Sequence, residues 1–224
     1  MKPGDYVLDL LKDAPGDRRT IALVRHSARN SFAGIPAHLR DSVEITPEGV
    51  SLAKSFGQSL GEIFPGNLLL LGHTGALRCR MTAESIGDGY FPAERVLMLG
   101  CQPEIDSPVV NPEKCVALLT EPGWTEGMIR WLDEEMPGDT LRNPQTYAED
   151  IIGKLLSFPK TGEPDLLVVV AHDITLFPMV SSIFGKKITM VEFLNGIVIA
   201  ADTTTAEFRY TDAQCSLKVK RDIL

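Results

Sequence analysis

The sequence predicts an α/β fold, a three-layer sandwich in which a mainly parallel sheet is flanked by helices. Two observations predict it. Short buried-strand patterns at Thr20–Arg25, Leu68–Leu71 and Leu166–Ala171 are separated by stretches of helical periodicity. The carboxyl-terminal third instead alternates brief strands with turn residues, as an antiparallel edge on a parallel sheet does. The 224 residues fit one large unit, so a single domain over 1–224 is expected.

Thr20–Arg25 is apolar, β-rich and too brief for a helix, and His26 falls at its carboxyl end. After a polar loop with Asn30, Gly34 and Pro36, Thr46-Pro47-Glu48 supplies an N-cap, a proline at the first helical position and an acid in the first turn. Val50, Ala53, Phe56, Leu60 and Ile63 then recur every three or four residues, and Pro65-Gly66 ends this amphipathic helix. Leu68–Leu71 is the second buried strand, and a helix follows from Ala76 to Ile86, with Arg78 near its start and Gly87 and Gly89 closing it. The stretch 101–145 carries six prolines, with a helical piece around Trp124–Glu135, and reads as a lid or connecting region. A helix is expected over Tyr147–Phe158. Leu166–Ala171 is a continuous apolar strand running into His172-Asp173, and Gly196–Ala201, Glu207–Tyr210 and Ser216–Val219 are the later strands.

Composition excludes several classes. A 44% apolar share and mean hydropathy near zero describe an ordinary globular chain. No apolar run approaches the roughly 20 residues needed to cross a bilayer, and Met1–Asp17 lacks the basic start and unbroken apolar run of a signal peptide. Cys79, Cys101, Cys115 and Cys215 are scattered without metal-ligand spacing, so neither a zinc site nor a disulfide framework is expected, and a cytoplasmic location is. The formal charge of −8 argues against nucleic-acid or membrane partners, because counterion release needs clustered cations. An anionic substrate would need a local basic pocket.

In open α/β sheets ligands bind outside the carboxyl ends of strands, and two strands here end in Arg25-His26 and His172-Asp173. A lone strand-end histidine is more often structural than catalytic, and a lone arginine is by default a surface charge. The combination of Arg25-His26-x-x-Arg29, Arg78 at a helix start and His172-Asp173 changes that balance. Trp124 and Trp131 read as core or lid packing, His38 and His73 as surface residues, and Asp133-Glu134-Glu135 as a solvated helix face.

Four motifs in this order, Val24-Arg25-His26-Ser27-Ala28-Arg29, Thr46-Pro47-Glu48-Gly49, Arg78-Cys79-Arg80-Met81-Thr82-Ala83 and Val170-Ala171-His172-Asp173, resemble the histidine phosphatase superfamily, which includes phosphoglycerate mutases and histidine acid phosphatases. The resemblance spans roughly Ile21 to Ala201 and implies a phosphoglycerate mutase-like fold. There are two departures. Ser27 stands where the family usually has glycine, which is expected to narrow the pocket or add a donor, and His73-Thr74-Gly75 replaces the serine-proline before the second arginine motif.

The resemblance implies a metal-independent phosphatase with no cofactor. His26 is the expected nucleophile, since a neutral imidazole can attack phosphorus and split hydrolysis into two easier displacements. Arg25, Arg29 and Arg78 bind the phosphoryl oxygens with planar forks, and their charge disfavours protonation of His26. His172 would donate to the same group. Asp173 is the acid of the acid-phosphatase branch, giving an expected optimum on the acidic side of neutral, and Glu104 is the alternative acid of mutase-like members. A small phosphorylated compound or a phosphoprotein is the expected substrate. A phosphoglycerate-type mutase and a non-catalytic phosphate-binding module remain as alternatives.

Overall fold

In the computed structural model, residues 2–14, 18–120, 122–159, 161 and 165–218 are described. The chain runs α1 (Asp5–Lys12), β1 (Arg19–Arg25), α2 (Pro47–Ile63), β2 (Leu68–His73), α3 (Leu77–Gly89), β3 (Val96–Cys101), α4 (Pro112–Thr120), α5 (Trp124–Leu132), α6 (Pro144–Ser157), β4 (Asp165–Ala171), α7 (Asp173–Phe184), β5 (Gly196–Ala201), β6 (Thr205–Tyr210) and β7 (Ala213–Lys218). Short 3-10 turns lie at Ala37–Ser42, Ala93–Arg95 and Pro103–Ile105. The seven strands form one sheet in the order β3-β2-β4-β1-β5-β6-β7. The first four are parallel and the last three antiparallel, as the sequence predicts.

Alternation along the strands divides the core into two layers. Ala22, Val24, Leu69, Leu71, Val168 and Val170 face α1, α2 and α3, whereas Ile21, Leu23, Leu70, Leu167, Val169 and Ala171 face α4 to α7. A strand buried on both faces has no reason to alternate polar and apolar residues, which is why β4 reads as a continuous apolar run. The expected cap of α2 forms, with Thr46 Oγ1 accepting from Gly49 N at 3.0 Å. Glycines let α2 and α3 approach closely. A Cβ on Gly57 would lie 2.0 Å from the Ile86 carbonyl oxygen, and one on Gly89 2.0 Å from that of Lys54.

One expectation needs correction, and two elements are additional. In the 101–145 stretch, Cys115 and Leu119 of α4 and Met128, Trp131 and Leu132 of α5 are buried in the main core. The Asp133–Glu135 run is exposed, but it follows α5 instead of lining it: Asp133 is the C-cap, and Glu134 turns the chain at φ 64°. Helix α1 and edge strand β3 were not expected. In α1, Val7 and Leu11 pack one turn apart against the layer below. The strand expected at 216–219 is β7, whose last expected residue lies outside the described residues.

Candidate active site

Strands β1 and β4 are parallel neighbours with Arg25 opposite Ala171, so the residues that follow them, His26 and His172, meet at the carboxyl edge of the sheet. His26 N donates to the Ala171 carbonyl at 2.9 Å, and the two imidazoles pack edge to face with centroids 5.6 Å apart. Both are enclosed, at 2% and 5% exposure.

Each ring is fixed by a partner whose hydrogen-bonding role cannot reverse. His26 Nδ1 lies 2.8 Å from the Ser27 carbonyl, which only accepts, so Nδ1 carries the proton and Nε2 keeps a free lone pair. His172 Nδ1 lies 3.3 Å from Arg78 Nη2, which only donates, so here Nδ1 holds the lone pair and Nε2 carries the proton, 3.4 Å from Thr74 Oγ1. The neighbouring histidines are therefore opposite tautomers. Burial, reinforced by Arg78, Arg25 and Arg29, lowers the pKa of His26 to about 3, even though the bond to Ser27 acts to raise it. Burial and then Arg78 also hold His172 well below the usual histidine range.

The fold brings the three expected arginines to these rings. Arg25 ends β1, with Nη2 3.1 Å from Asp173 Oδ2 and its guanidinium 4.4 Å over the Phe193 ring. Asp173 opens α7, and its Oδ1 accepts from Ile174 N at 2.9 Å, so both carboxylate oxygens have donors. Arg29 lies over the Phe32 ring at 3.3 Å and, among the described residues, pairs with no carboxylate. Burial, then the charges of Arg78 and Arg25, lower its pKa to about 10. Arg78, 7% exposed, donates through Nη1 to the Arg40 carbonyl at 2.8 Å, and its Nη2 lies 3.4 Å from Asp41 Oδ1. The Nε atoms of Arg25 and Arg78 are buried and have no hydrogen-bond partner among the described residues.

Other candidates lie elsewhere. Glu104 is exposed in the turn after β3, at the sheet edge three strands from β1, and makes no hydrogen bond or ion pair among the described residues. His38 is exposed, with Nδ1 3.1 Å from Glu113 Oε1. His73, expected at the surface, is instead buried at the end of β2 with Nδ1 2.8 Å from the Thr74 carbonyl, because its position faces the layer of α2 and α3. Ser27 does not narrow the pocket. Its hydroxyl donates to the Gly49 carbonyl at 2.8 Å and its backbone N–H to Thr82 Oγ1 at 3.0 Å, tying the end of β1 to both covering helices. Gly49 permits that seam, since a Cβ there would lie 2.1 Å from the Ala28 carbonyl oxygen.

Phe32, Arg40, Asp41, Thr74 and Phe193 complete the site and carry no sequence signal of their own. The first three come from the loop and 3-10 turn between β1 and α2.

No family model matches the sequence, and no curated protein is detectably similar to it. Solved structures do match its fold. YhfR of Bacillus stearothermophilus superposes with a TM-score of 0.58 at 13% identity, over 82% of this chain and 92% of that one. The mycobacterial glucosyl-3-phosphoglycerate phosphatase gives 0.55 at 14% identity, covering 89% and 96%, and phosphoglycerate mutase from Bacillus anthracis gives 0.54 at 17%, covering 93% and 94%. The chain has a phosphoglycerate mutase-like α/β fold. Within that fold its paired histidines occupy the carboxyl edge of the parallel strands, where α/β sheets bind ligands. Among the described residues no group of three His, Cys, Asp or Glu side chains is placed to hold a metal ion, and no helix is long and apolar enough to cross a membrane.

Proposed function

We propose that the chain is a phosphatase that hydrolyses phosphomonoesters through a phosphohistidine on His26, without a metal. The observation that carries this reading is the pair of opposite tautomers beneath three arginines: a bare Nε2 on His26 beside an N–H on His172. His26 attacks phosphorus as the ester oxygen leaves. Arg25, Arg29 and Arg78 take the phosphoryl oxygens, stabilising charge in an enclosed site where their hydrogen bonds count for more than in water. The phosphoryl group displaces Asp41 and the Arg40 carbonyl from Arg78, and His172 Nε2–H turns from Thr74 to a phosphoryl oxygen. As Arg25 turns to the phosphoryl group it releases Asp173 Oδ2 to carry a proton, which Asp173 gives to the departing alkoxide and then regains from the water that cleaves the phosphohistidine and releases phosphate. Glu104 is the alternative acid, and its exposed place at the sheet edge favours Asp173. The substrate is a small phosphorylated compound or a phosphoprotein. Four free cysteines support a reducing, cytoplasmic setting.

The test is hydrolysis of an aryl phosphate from pH 4 to 9 in EDTA by wild type, His26→Ala, Asp173→Asn and Glu104→Gln. EDTA-resistant turnover abolished in His26→Ala, with Asp173→Asn impaired most on poor leaving groups, is expected. Turnover that survives in His26→Ala would overturn the mechanism, an alkaline optimum would count against Asp173, and dependence on a bisphosphate primer would mark a mutase.

A further inference from the structure

The segment between α7 and β5 meets Arg25 at several points. Arg25 N donates to the Asn195 carbonyl at 2.9 Å, and Leu194 N donates to the Arg25 carbonyl at 3.0 Å. Farther out, Nη1 donates to the Val191 carbonyl, and the guanidinium carbon lies over the Phe193 ring, 4.4 Å from its centroid. The same half-exposed ring meets His26, with centroids 5.9 Å apart.

A strained turn sets the ring there. Asn195 N donates to the Glu192 carbonyl at 3.2 Å, closing a four-residue turn in which Leu194 takes a left-handed backbone at φ 60°. Turns usually give such a position to glycine or asparagine, because a Cβ is disfavoured there. Leu194 is held in it by complete burial in the layer of α1, α2 and α3. Strain of this kind persists where packing over-determines it, and it gathers at functional sites. Here it delivers the preceding residue, Phe193, onto Arg25 and His26.

Arg25 has two partners to serve in turn. Its Nη2 lies 3.1 Å from Asp173 Oδ2, its Nε is buried with no partner among the described residues, and phosphate binding needs its fork turned to the phosphoryl oxygens. A hydrogen bond fixes a direction, whereas attraction to a ring face acts on the charge and tolerates rotation of the guanidinium. The ring contact can therefore outlast an exchange of partners.

We propose that Phe193 is the positioning residue for Arg25, holding the guanidinium as it passes from Asp173 to the phosphoryl group and thereby freeing Asp173 to act as the acid. This rests on the reading of the His26 site as a phosphatase site. Asp173, with its side chain 24% exposed, takes a proton from solvent once Oδ2 is released and gives it to the leaving oxygen.

The experiment compares Phe193→Leu, which stays apolar but loses the ring face, with Phe193→Tyr, which keeps it; Phe193→Met replaces Phe193→Leu if that variant does not fold. Values of kcat/KM are measured on nitrophenyl phosphate, whose leaving oxygen needs little protonation, and on ethyl phosphate, whose oxygen needs it. Phe193→Leu should lose about tenfold on ethyl phosphate, the size of one desolvated cation–ring contact, and about threefold on nitrophenyl phosphate, which does not need the acid. Phe193→Tyr should recover most of both losses. In an Asp173→Asn background the two losses should become equal, because no acid is left to release. Calorimetry with inorganic phosphate should show binding weakened by about threefold in Phe193→Leu and restored in Phe193→Tyr. Equal losses on the two esters, a Phe193→Tyr variant as impaired as Phe193→Leu, or a difference between the esters that persists in Asp173→Asn overturns the assignment and leaves the phosphatase reading standing. If wild type hydrolyses neither ester while phosphate binding still follows the ring, the hold on Arg25 stands and the phosphatase reading falls. Phosphate binding indifferent to Phe193 in that case removes both.

Discussion

His26 gives the folded protein a measurable dependence on pH. In the unfolded chain a histidine has a pKa near 6.5, whereas burial and the arginines hold folded His26 at about 3. Between those values the unfolded state binds a proton that the folded state refuses, so stability falls as pH falls, by about 1.4 kcal/mol per unit well inside the window. At pH 5 the unfolded histidine is almost fully charged and folded His26 is still neutral, so the loss relative to pH 7.5 is about 2 kcal/mol. His172 acts in the same direction. For a chain of this size 1 kcal/mol moves Tm by roughly 2–4 °C, so His26 alone accounts for roughly 4–8 °C. The assay is thermal unfolding of wild type and His26→Asn at pH 7.5 and pH 5. Taking the difference within each protein removes any constant cost of the substitution. Wild type should lose roughly 4–8 °C more than the variant between the two pH values. Equal losses would mean that folded His26 titrates normally, and a neutral nucleophile enclosed by arginines would then be the wrong picture.

Asp41 is 80% exposed and 3.4 Å from Arg78, so the pair contributes at most about 1 kcal/mol. Asp41→Asn should therefore tighten inorganic phosphate binding by roughly two- to fivefold in calorimetry, and unchanged or weaker binding would show that Asp41 does not compete with phosphate. Ser27→Gly removes the hydroxyl bonded to Gly49 and should cost about 1 kcal/mol of stability. Its effect on kcat/KM should be smaller, since the hydroxyl points into α2; a large kinetic loss with unchanged Tm would contradict that orientation. Gly49→Ala forces a Cβ against the Ala28 carbonyl and should cost about 1–3 kcal/mol in denaturant unfolding, with weaker phosphate binding because Ala28 precedes Arg29. Nitrogen-15 spectroscopy should find the His26 proton on Nδ1 and the His172 proton on Nε2. Matching tautomers would remove the asymmetry on which the mechanism depends.

The parts of the site that lie in sequence beside strand ends were legible. Arg25-His26 and His172-Asp173 each follow an apolar run whose burial is plain, and parallel pairing of β1 with β4 then requires the histidines to meet. Arg78 follows the same logic through the start of α3. Where a side chain's role depends on what folds over it, the sequence was silent. Phe32, Arg40 and Asp41 sit in a loop without periodicity, and they join the site only because the turn after β1 lies back over Arg29 and Arg78. His73 was misread because β2 extends past Leu71 into Gly72-His73, turning an expected surface residue inward. The exposed run in β3 lacks the burial that identified β1 and β4, since β3 lies at the sheet edge.

These contacts satisfy the arginines of the site in part, since the Nε atoms of Arg25 and Arg78 stay unpartnered among the described residues. Unpaired guanidiniums under cover would carry a desolvation cost, and here each has a partial partner: Asp173 for Arg25, the Phe32 ring for Arg29, and the Arg40 carbonyl and Asp41 for Arg78. The partners differ in how readily they yield. Asp173 already engages both of its oxygens, whereas Asp41 is held only at its tip and is mostly in water. On the proposed reading, an incoming phosphoryl group therefore exchanges with Asp41 and the Arg40 carbonyl before it disturbs Asp173, and the histidines beneath need only remain neutral and in opposite tautomers.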